Sequence, residues 1–574
     1  MSEFNLVDEP WIPCIDLHGH SVEYGIRDTL LKAHELHEIC DDSPLVIVAL
    51  YRLLLAILYC THRGQWDMAN WRTLYRNGSF AKSDSIFNYL MSWRSRFFLF
   101  DEIHPFMQVA DLDLNEYKQD GALKKDKTDG LMRLVREAPD KGGRTLFDHR
   151  VGTIRPEYEP RQIVRMIVSA QSFSGTGIAS GGKIGDRQIS PTPCQFAPCV
   201  EGLVLWLQGE NLFQTLLLNC TPSDQLDNDK PPWEDESIIE KAIASWRKPI
   251  AFAGPVQRFA PLSRFIRVLD HQSMFFTNGL KPNKDFDDPM KVYMRPDDHS
   301  EYQVLKLHKD RAAWRDSHAL FEVSSSMWKA PSCLNHAARL DQGRLLPKET
   351  QPMINIVGLA TNQGKALLWR HDRMPLPLKI LGAYDFKERL DSLILEAEYA
   401  GERLSSGLFW NASSKKVIRK EPVGIIQLIA DLVVSPSLEL RGPGVLRTKE
   451  GRAPEEAHNK AVLELSKSID PCPAYWARLE KHFFALLEHL PDDWDTEGDN
   501  WKPEDQQKAT NAWRRHVKNE AKRALEESIR SLGTTARAIQ AIARVRTGFS
   551  DDDLKPPSQK VSGEKRRVKG GKTG

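Results

Sequence analysis

The chain holds 574 residues, 41% of them hydrophobic, with 79 Lys and Arg against 78 Asp and Glu. That is room for roughly three or four domains with sizeable cores, which excludes wholesale disorder and a stapled mini-fold. The formal charge of +1 excludes a histone-like polycation, so any nucleic-acid contact must use local patches. The eight cysteines are scattered without a CxxC pair, which argues against a zinc ribbon or a disulfide framework and fits a reducing compartment.

Glu3 and Asp8 sit where a signal peptide would carry its basic region. The one long apolar run, Leu45 to Cys60, is about sixteen residues with Arg52 inside it, and reads as a buried core helix rather than a membrane span. A soluble, cytoplasmic protein without a membrane partner is expected. In chain order, Trp11–Asp16 and Val22–Gly25 read as a β-hairpin around His18-Gly19-His20, and Arg27 to Cys40 as a helix. Helices follow over Ser43–Cys60 and Ser83–Phe98. Asp111 to Gly143 is charged and poor in large apolar residues, with Lys124, Lys125 and Lys127 close together, and reads as a long mobile loop.

Arg161 to Phe173 returns to helical spacing and stops at Ser174-Gly175. From Leu203 to Phe386, β-prone runs (Leu262–Leu269, Met274–Thr277, Lys291–Met294, Met353–Leu359) mix with a few helices. Beyond Leu378 β-runs nearly vanish. Three apolar stripes take over, through Leu390 and Leu404, Tyr475 and Leu490, and Trp513 and Ile529, each with the spacing of a core-facing helix. They predict an α-helical bundle. Lys555 to Gly574 is basic, rich in Gly, Ser and Pro, and expected to be disordered.

Four features carry chemistry. Five of the eleven residues from Gly175 to Gly185 are glycine. A dinucleotide fingerprint fails here, because a helix rather than a strand precedes it, and a P-loop fails for want of GK[ST]. Either this is a flexible connector or its bare backbone lets a bulky partner approach, with Lys183 and Arg187 favouring phosphate. Thr361-Asn362-Gln363-Gly364 has hairpin-turn composition and lifts an amide to the tip, either as an ordinary surface turn or as a probe of base edges. His371-Asp372 is the doublet of metal-dependent phosphohydrolases, and His18/His20 could chelate, but further ligands are not found. From Trp501 to Ser550, eleven Lys and Arg face five Asp and Glu, with Arg514, Arg515, Lys518, Lys522 and Arg523 off the apolar stripe, followed by Arg537, Arg544 and Arg546. Such a surface is either a solvated face or a phosphate-binding one. A metal-dependent hydrolase and a helical scaffold without nucleic-acid contact both stay open.

Several motifs nevertheless fall in the order of one family. Asn5-Leu-Val-Asp-Glu-Pro-Trp-Ile-Pro13, His104-Pro-Phe-Met-Gln108, Thr145-Leu-Phe-Asp-His-Arg150, the glycine stretch, Ala312-Ala-Trp-Arg-Asp316 and Thr361-Asn-Gln-Gly364 leading to Met374-Pro-Leu-Pro-Leu378 together resemble the large subunit of type I-E CRISPR Cascade, the CasA family. The likeness runs from Asn5 to about Phe549. It implies an α+β chain: a mixed α/β N-terminal domain (1–375), a C-terminal four-helix bundle (376–550) and a basic disordered tail (551–574). It implies a non-catalytic subunit without metal or cofactor, partnered by other Cascade subunits with guide RNA, by double-stranded target DNA, and by a helicase–nuclease recruited after R-loop formation. The glycine-loop role in reading the protospacer-adjacent motif falls on Gly175, Gly177, Gly181 and Gly182 beside Lys183. The strand-separating wedge falls on Asn362 and Gln363, and the aromatic loop that holds guide and target on Phe147 and His149, where the family carries an amide in place of His149. The groove-reading lysine lies nearest to Lys281, and the bundle arginines Arg537, Arg544 and Arg546 fall near the displaced strand.

Overall fold

Asp16 organises the first turn of the chain: its carboxylate accepts from the backbone N–H groups of His18 and His20 at 2.8 Å each, and Gly19 takes φ +86° between them. Strands β1 (Ile12–Asp16) and β2 (Ser21–Tyr24) therefore close as the expected hairpin. The segment expected as one helix divides. Helix α1 (Ile26–Leu31) is followed by β3 (Leu36–Ile39), which pairs with the other edge of β1, Cys14 opposite Ile39. Ladder hydrogen bonds on that free edge, with Leu36 and Ile39 buried, outweigh the helical spacing. In the computed structural model the described residues are 4–548, apart from 64–66, 83, 136–154, 176, 195, 223–227, 245, 247, 282–287, 296–298, 308–310, 322–327, 348–350, 363–364, 382–383, 406–407, 412–415, 420–423, 436–438, 441–445, 448–455 and 496–499. They form two compact units, Met1–Ala383 and Tyr384–Gly574. The basic tail lies outside them.

In the first unit, the long apolar run is helix α2 (Pro44–Thr61), capped by the Ser43 hydroxyl accepting from Val46 N–H, and buried at every position from Pro44 to Cys60 except Val46. Its length and composition would suit a bilayer, but here it is a core helix. Arg52 is fully buried and tolerated because both carboxylate oxygens of Asp288 accept from it at 3.0 and 2.8 Å, and the Arg258 carbonyl at 2.6 Å. Helix α3 (Met68–Asn77) has Asp67 as N-cap and was not evident in the sequence. Helix α4 (Ser85–Ser92) is shorter than the expected Ser83–Phe98.

The charged stretch after Asp111 is, in its described part, structured. It contains β4 (Leu112–Asp113), a hairpin of β5 (Glu116–Tyr117) and β6 (Leu123–Lys125), and β7 (Asp129–Gly130). The long loop expected there is corrected by its own acidic residues. Asp113, Asp120 and Asp126 each accept from the backbone N–H two residues on, and so fold the turns, while Leu112 and Leu114 are fully buried. Helix α5 (Pro160–Phe173) starts with a capping box of Glu159 and Gln162. Four short strands follow it: β8 (Gly177–Ala179), β9 (Gly182–Ile184), β10 (Arg187–Ile189) and β11 (Thr192–Cys194).

Next come β12 (Leu203–Gln208), α6 (Leu212–Asn219), α7 (Ile238–Ala244), α8 (Pro255–Phe259), β13 (Arg264–Val268) and β14 (Ser273–Asn278). A small sheet of β15 (Tyr293–Met294), β16 (Gln303–Val304) and β17 (Trp328–Lys329) surrounds the short α9 (Ser317–Leu320) in sequence. Helix α10 (Ser332–Gln342) leads to β18 (Met353–Asn362) and β19 (Lys365–Pro375), which join β12 in an antiparallel sheet with β18 in the middle.

The second unit is the expected helical region. Its described helices are α11 (Tyr384–Leu404), α12 (Ile425–Val434), α13 (Glu456–Ser468), α14 (Cys472–His489), α15 (Lys508–Arg530) and α16 (Ala536–Gly548). The three predicted stripes are the buried ones, on α11, α14 and α15: Leu390, Ile394, Tyr475, Leu479, Phe483, Trp513 and Ala521 are at most 3% exposed. Two polar tips lock the helices together, Trp513 Nε1–H donating to the Leu393 carbonyl and the Tyr475 hydroxyl to that of Ala397. Short hairpins interrupt the helices at 408–419, 439–447 and 494–501, the last clustering Trp494 and Trp501 on Phe386.

Candidate nucleic-acid interface

The glycine stretch begins where α5 is stopped. Arg264, 2% exposed, aims its guanidinium at the helix end and donates to the carbonyls of Ser174 (3.2 Å) and Gly175 (2.8 Å). A cation at a helix C-terminus satisfies carbonyls that the helix cannot. From there the chain does not wander as a loop. It forms two hairpin layers, β8 paired with β11 and β9 with β10, and β9 pairs on its other edge with β4. The reason is a short alternation: Ile184 and Ile189 turn inward onto Leu112, Leu114, Phe265 and Phe275, while Lys183 and Gln188 turn outward. Gly185, at φ +56°, makes the tight turn between β9 and β10.

The glycines divide by what surrounds them. A Cβ on Gly182 would stand 2.4 Å from the Asp113 carbonyl oxygen and 2.7 Å from Leu114 Cα, and one on Gly181 would stand 2.7 Å from the Ile189 carbonyl oxygen. These two glycines let the protein's own strands approach one another. Gly177 meets nothing within 4 Å, and Ile178 beside it is 81% exposed. An approaching surface therefore has free access at Gly177. The Thr277 hydroxyl donates to the Ser180 carbonyl at 2.7 Å, so β14 braces the stretch, and Lys281 follows that strand by three residues, with its backbone carbonyl accepting from Ile250 N–H.

A groove of about 810 Å³ runs beside β9. Lys124, Lys127 and Lys183 line it together with Tyr117, Gln188 and the backbone of Gly181 and Gly182. Lys127 donates to the Gly181 carbonyl at 3.3 Å and pairs with Glu116 at 3.0 Å. Lys183 stands 5.8 Å from the centre of the Tyr117 ring. The Lys124–Lys127 cluster was visible in the sequence, but not that it would face Lys183.

The β18–β19 hairpin has the two-residue connection expected from Asn-Gln-Gly, with Asn362 opposite Lys365 and Gln363 outside the described residues. Pairing of β18 with β12 ends at Gly358, opposite Leu203. The last four residues of β18 therefore run on, about 13 Å at the usual rise, with only β19 as a ladder partner among the described strands. At the point of exit Leu359 packs against Ala197 and Val200. That segment is the return limb of the glycine stretch: Ala197 N–H donates to the Ser174 carbonyl and Cys199 N–H to that of Ser172. Lys291, buried, donates to the carbonyls of Pro198 and Glu201. Burial pulls the Lys291 ammonium below its ordinary pKa, against the opposing charge of Asp288. The stretch and the root of the hairpin thus share one clasp, which no pattern in the sequence announced.

His371 and Asp372 do not form a metal site. His371 Nε2 contacts Asn355 Oδ1 at 2.9 Å, and the Asn355 amide donates to Gln208. Asp372 accepts from Ala313 N–H at 2.9 Å. Burial lowers the His371 pKa to about 4 and raises that of Asp372. Among the described residues no group of three or more His, Cys, Asp and Glu side chains could hold a metal ion. Phe147 and His149 lie outside the described residues. On the bundle, Arg537, Arg544 and Arg546 are exposed along α16, but both oxygens of Glu526 accept from Arg546, at 2.5 and 2.6 Å. Arg514, expected on the solvent side, instead makes a bidentate pair with Glu396 of α11.

Residues 5–524 match the family model of CRISPR-associated protein Cse1. The CRISPR-associated protein CasA/Cse1 of Thermus thermophilus is 29% identical over 563 residues, spanning 95% of this chain and 96% of its own. A crystal structure of Thermus thermophilus CasA superposes with a TM-score of 0.72 at 25% identity, over 96% of this chain and 99% of its own. A chain from a CRISPR RNA-guided surveillance complex shares the fold, with a TM-score of 0.65 at 16% identity over 95% of this chain and 99% of its own.

Proposed function

The chain belongs to the family of CRISPR-associated protein Cse1, and from that premise we propose that it is the non-catalytic DNA-recognition subunit of an RNA-guided surveillance complex. In this reading it works in the cytoplasm with other Cascade subunits and guide RNA. It reads a short motif in duplex DNA, starts strand separation, and offers a platform to a helicase–nuclease that does the cutting. The surface at Gly175, Gly177 and Lys183 lies along the minor groove, where readout is degenerate and a few contacts make a tolerant filter. Guide pairing carries the remaining sequence information. In this reading Lys281, three residues past the bracing strand, is the lysine that enters the same groove, and Phe147 and His149 belong to the segment that holds guide and target.

One observation carries the reading: the glycine strands and the root of the β18–β19 hairpin are clasped together through Ala197–Val200 and Leu359. A duplex lying on Gly177 would then meet the hairpin tip at a set distance, and Asn362 and Gln363 would enter beside the motif. Unstacking one base step costs about a few kcal/mol, which amide contacts at the tip and phosphate contacts elsewhere offset. The test is the double variant Asn362→Ala, Gln363→Ala in the assembled complex. R-loop formation should slow on fully paired targets and recover on targets already melted beside the motif. Equal loss on both target types would sink the wedge.

A further inference from the structure

The groove beside β9 is lined for an anion. Lys124 from the β5–β6 hairpin and Lys183 from β9 come from separate elements. Lys127 is committed to the fold, through the Gly181 carbonyl and Glu116. Glu116 is the one carboxylate in the lining, and its hydrogen bond with Lys127 holds its pKa below the usual carboxylate range. Three ammonium groups against one carboxylate leave the lining two positive charges in excess. Lys124 also pairs with that carboxylate, more loosely than Lys127 does, at 3.8 Å, and its side chain is 64% exposed. Gln188, opposite Lys183 in register, is exposed as well. Tyr117, 46% exposed, adds an apolar wall to the groove.

We propose that this groove takes the phosphodiester backbone of one strand of duplex DNA, with Lys124 and Lys183 each neutralising one phosphate and Gln188 donating its amide N–H to a phosphate oxygen. The proposal rests on the DNA-recognition reading above and extends it from the glycine strands to a neighbouring wall. Lysine suits this task because a mobile point charge follows a phosphate without demanding a fixed angle. Duplex DNA is favoured over guide RNA because Lys183 shares β9 with Gly182 and lies within the glycine stretch itself. A strand that meets Gly177 has its backbone nearby.

The test uses the full-length chain assembled with its partner subunits and guide RNA. Motif-bearing duplex is titrated between about 50 and 200 mM salt, for wild type, Lys124→Ala/Lys183→Ala and Lys124→Arg/Lys183→Arg. At roughly 0.9 per phosphate, the alanine pair should lower the log–log salt slope by about 1.8. The arginine pair should keep the wild-type slope. An unchanged slope in the alanine pair overturns the groove, as does a lost slope in the arginine pair. So does an alanine pair that folds normally but fails to assemble with guide RNA, since that outcome assigns the groove to RNA. If wild type itself shows no salt-dependent binding to duplex, the DNA reading fails as a whole, which is a separate result.

Discussion

Gly182→Val discriminates between a glycine needed by the fold and one needed by a partner. The new Cβ would sit 2.4 Å from the Asp113 carbonyl oxygen and 2.7 Å from Leu114 Cα, both backbone atoms that no rotamer change can move. Two responses are open. β9 and β4 strain apart locally, at the cost of an overpacked site, about 1–3 kcal/mol. Alternatively the β9–β10 arm peels away and exposes Ile184 and Ile189, at about 1.5–3 kcal/mol each. The first is cheaper, and with a branched residue against backbone it should approach about 3 kcal/mol. Gly177→Val has no atom within 4 Å to meet and should stay within about 0.5 kcal/mol. Native-state hydrogen exchange over 182–189 reads the difference directly. A loss near 3 kcal/mol means exchange faster by roughly a hundredfold, seen in Gly182→Val and not in Gly177→Val. In duplex binding the order reverses, with Gly177→Val folding normally and losing preference for the motif. Equal exchange in both variants, or unchanged protection in Gly182→Val, would refute the packing argument.

The remaining expectations concern charge. Arg537→Ala should lower the salt slope of DNA binding by about 0.9, whereas Arg546→Ala should change it far less, because Glu526 already neutralises that guanidinium; equal effects in paired titrations would show that the ion pair opens for DNA. Asp288→Asn leaves Arg52 buried without its counter-charge and should cost about 3–5 kcal/mol in denaturant unfolding. Burial alone would raise the Asp288 pKa, but Arg52 brings it down to about 2, so the pair's contribution is complete above the ordinary 3.8 and is lost as pH falls from there through about 2. That acid-dependent loss should be missing in Asp288→Asn. Burial holds the His371 pKa near 4 against an ordinary 6.5, so the folded state binds this proton later than the unfolded chain, and stability should fall as pH drops from 6.5 toward 4. His371→Gln should flatten that slope between pH 7 and 4, and an unaltered slope would mean that His371 opens to water.

The parts of the fold legible in advance were those with one-sided burial over many turns. Helices α5, α11, α14 and α15 each bury a stripe that repeats over several turns, and α2 is a continuous apolar run that outweighs Arg52. The family was legible too, because ordered motifs survive where periodicity does not. Strands of two or three residues were mostly not legible, β15 inside the β-prone run Lys291–Met294 being an exception. β4 to β7 are made by Asp-held turns and a few buried leucines, and their sequence is as charged as a loop. The Lys183-Ile184 and Gln188-Ile189 pairs supply only one inward residue per strand. At the candidate site, glycine density marked the right segment but could not separate Gly182, which meets backbone, from Gly177, which meets nothing. The Arg264 plug on the end of α5 and the Lys291 clamp depend on residues some ninety positions away in sequence, with no local signature at either end.

The hairpin that leaves the central sheet has a mechanical side. From Met353 to Gly358, β18 is gripped on both flanks, and beyond that, among the described strands, it is a cantilever held along one flank only. A beam of this kind takes its direction from its mounting. The rungs between β18 and β19 run on past the gripped part to Asn362 opposite Lys365, with a register shift between Ala360 and Thr361. The mounting is tightly packed. A Cβ on Gly358 would stand 2.8 Å from Leu203 Cδ2 and 3.0 Å from Leu307 Cβ, so a larger residue there would re-aim the whole overhang. Substitution is therefore penalised at the support, where its effect would carry to every rung beyond it.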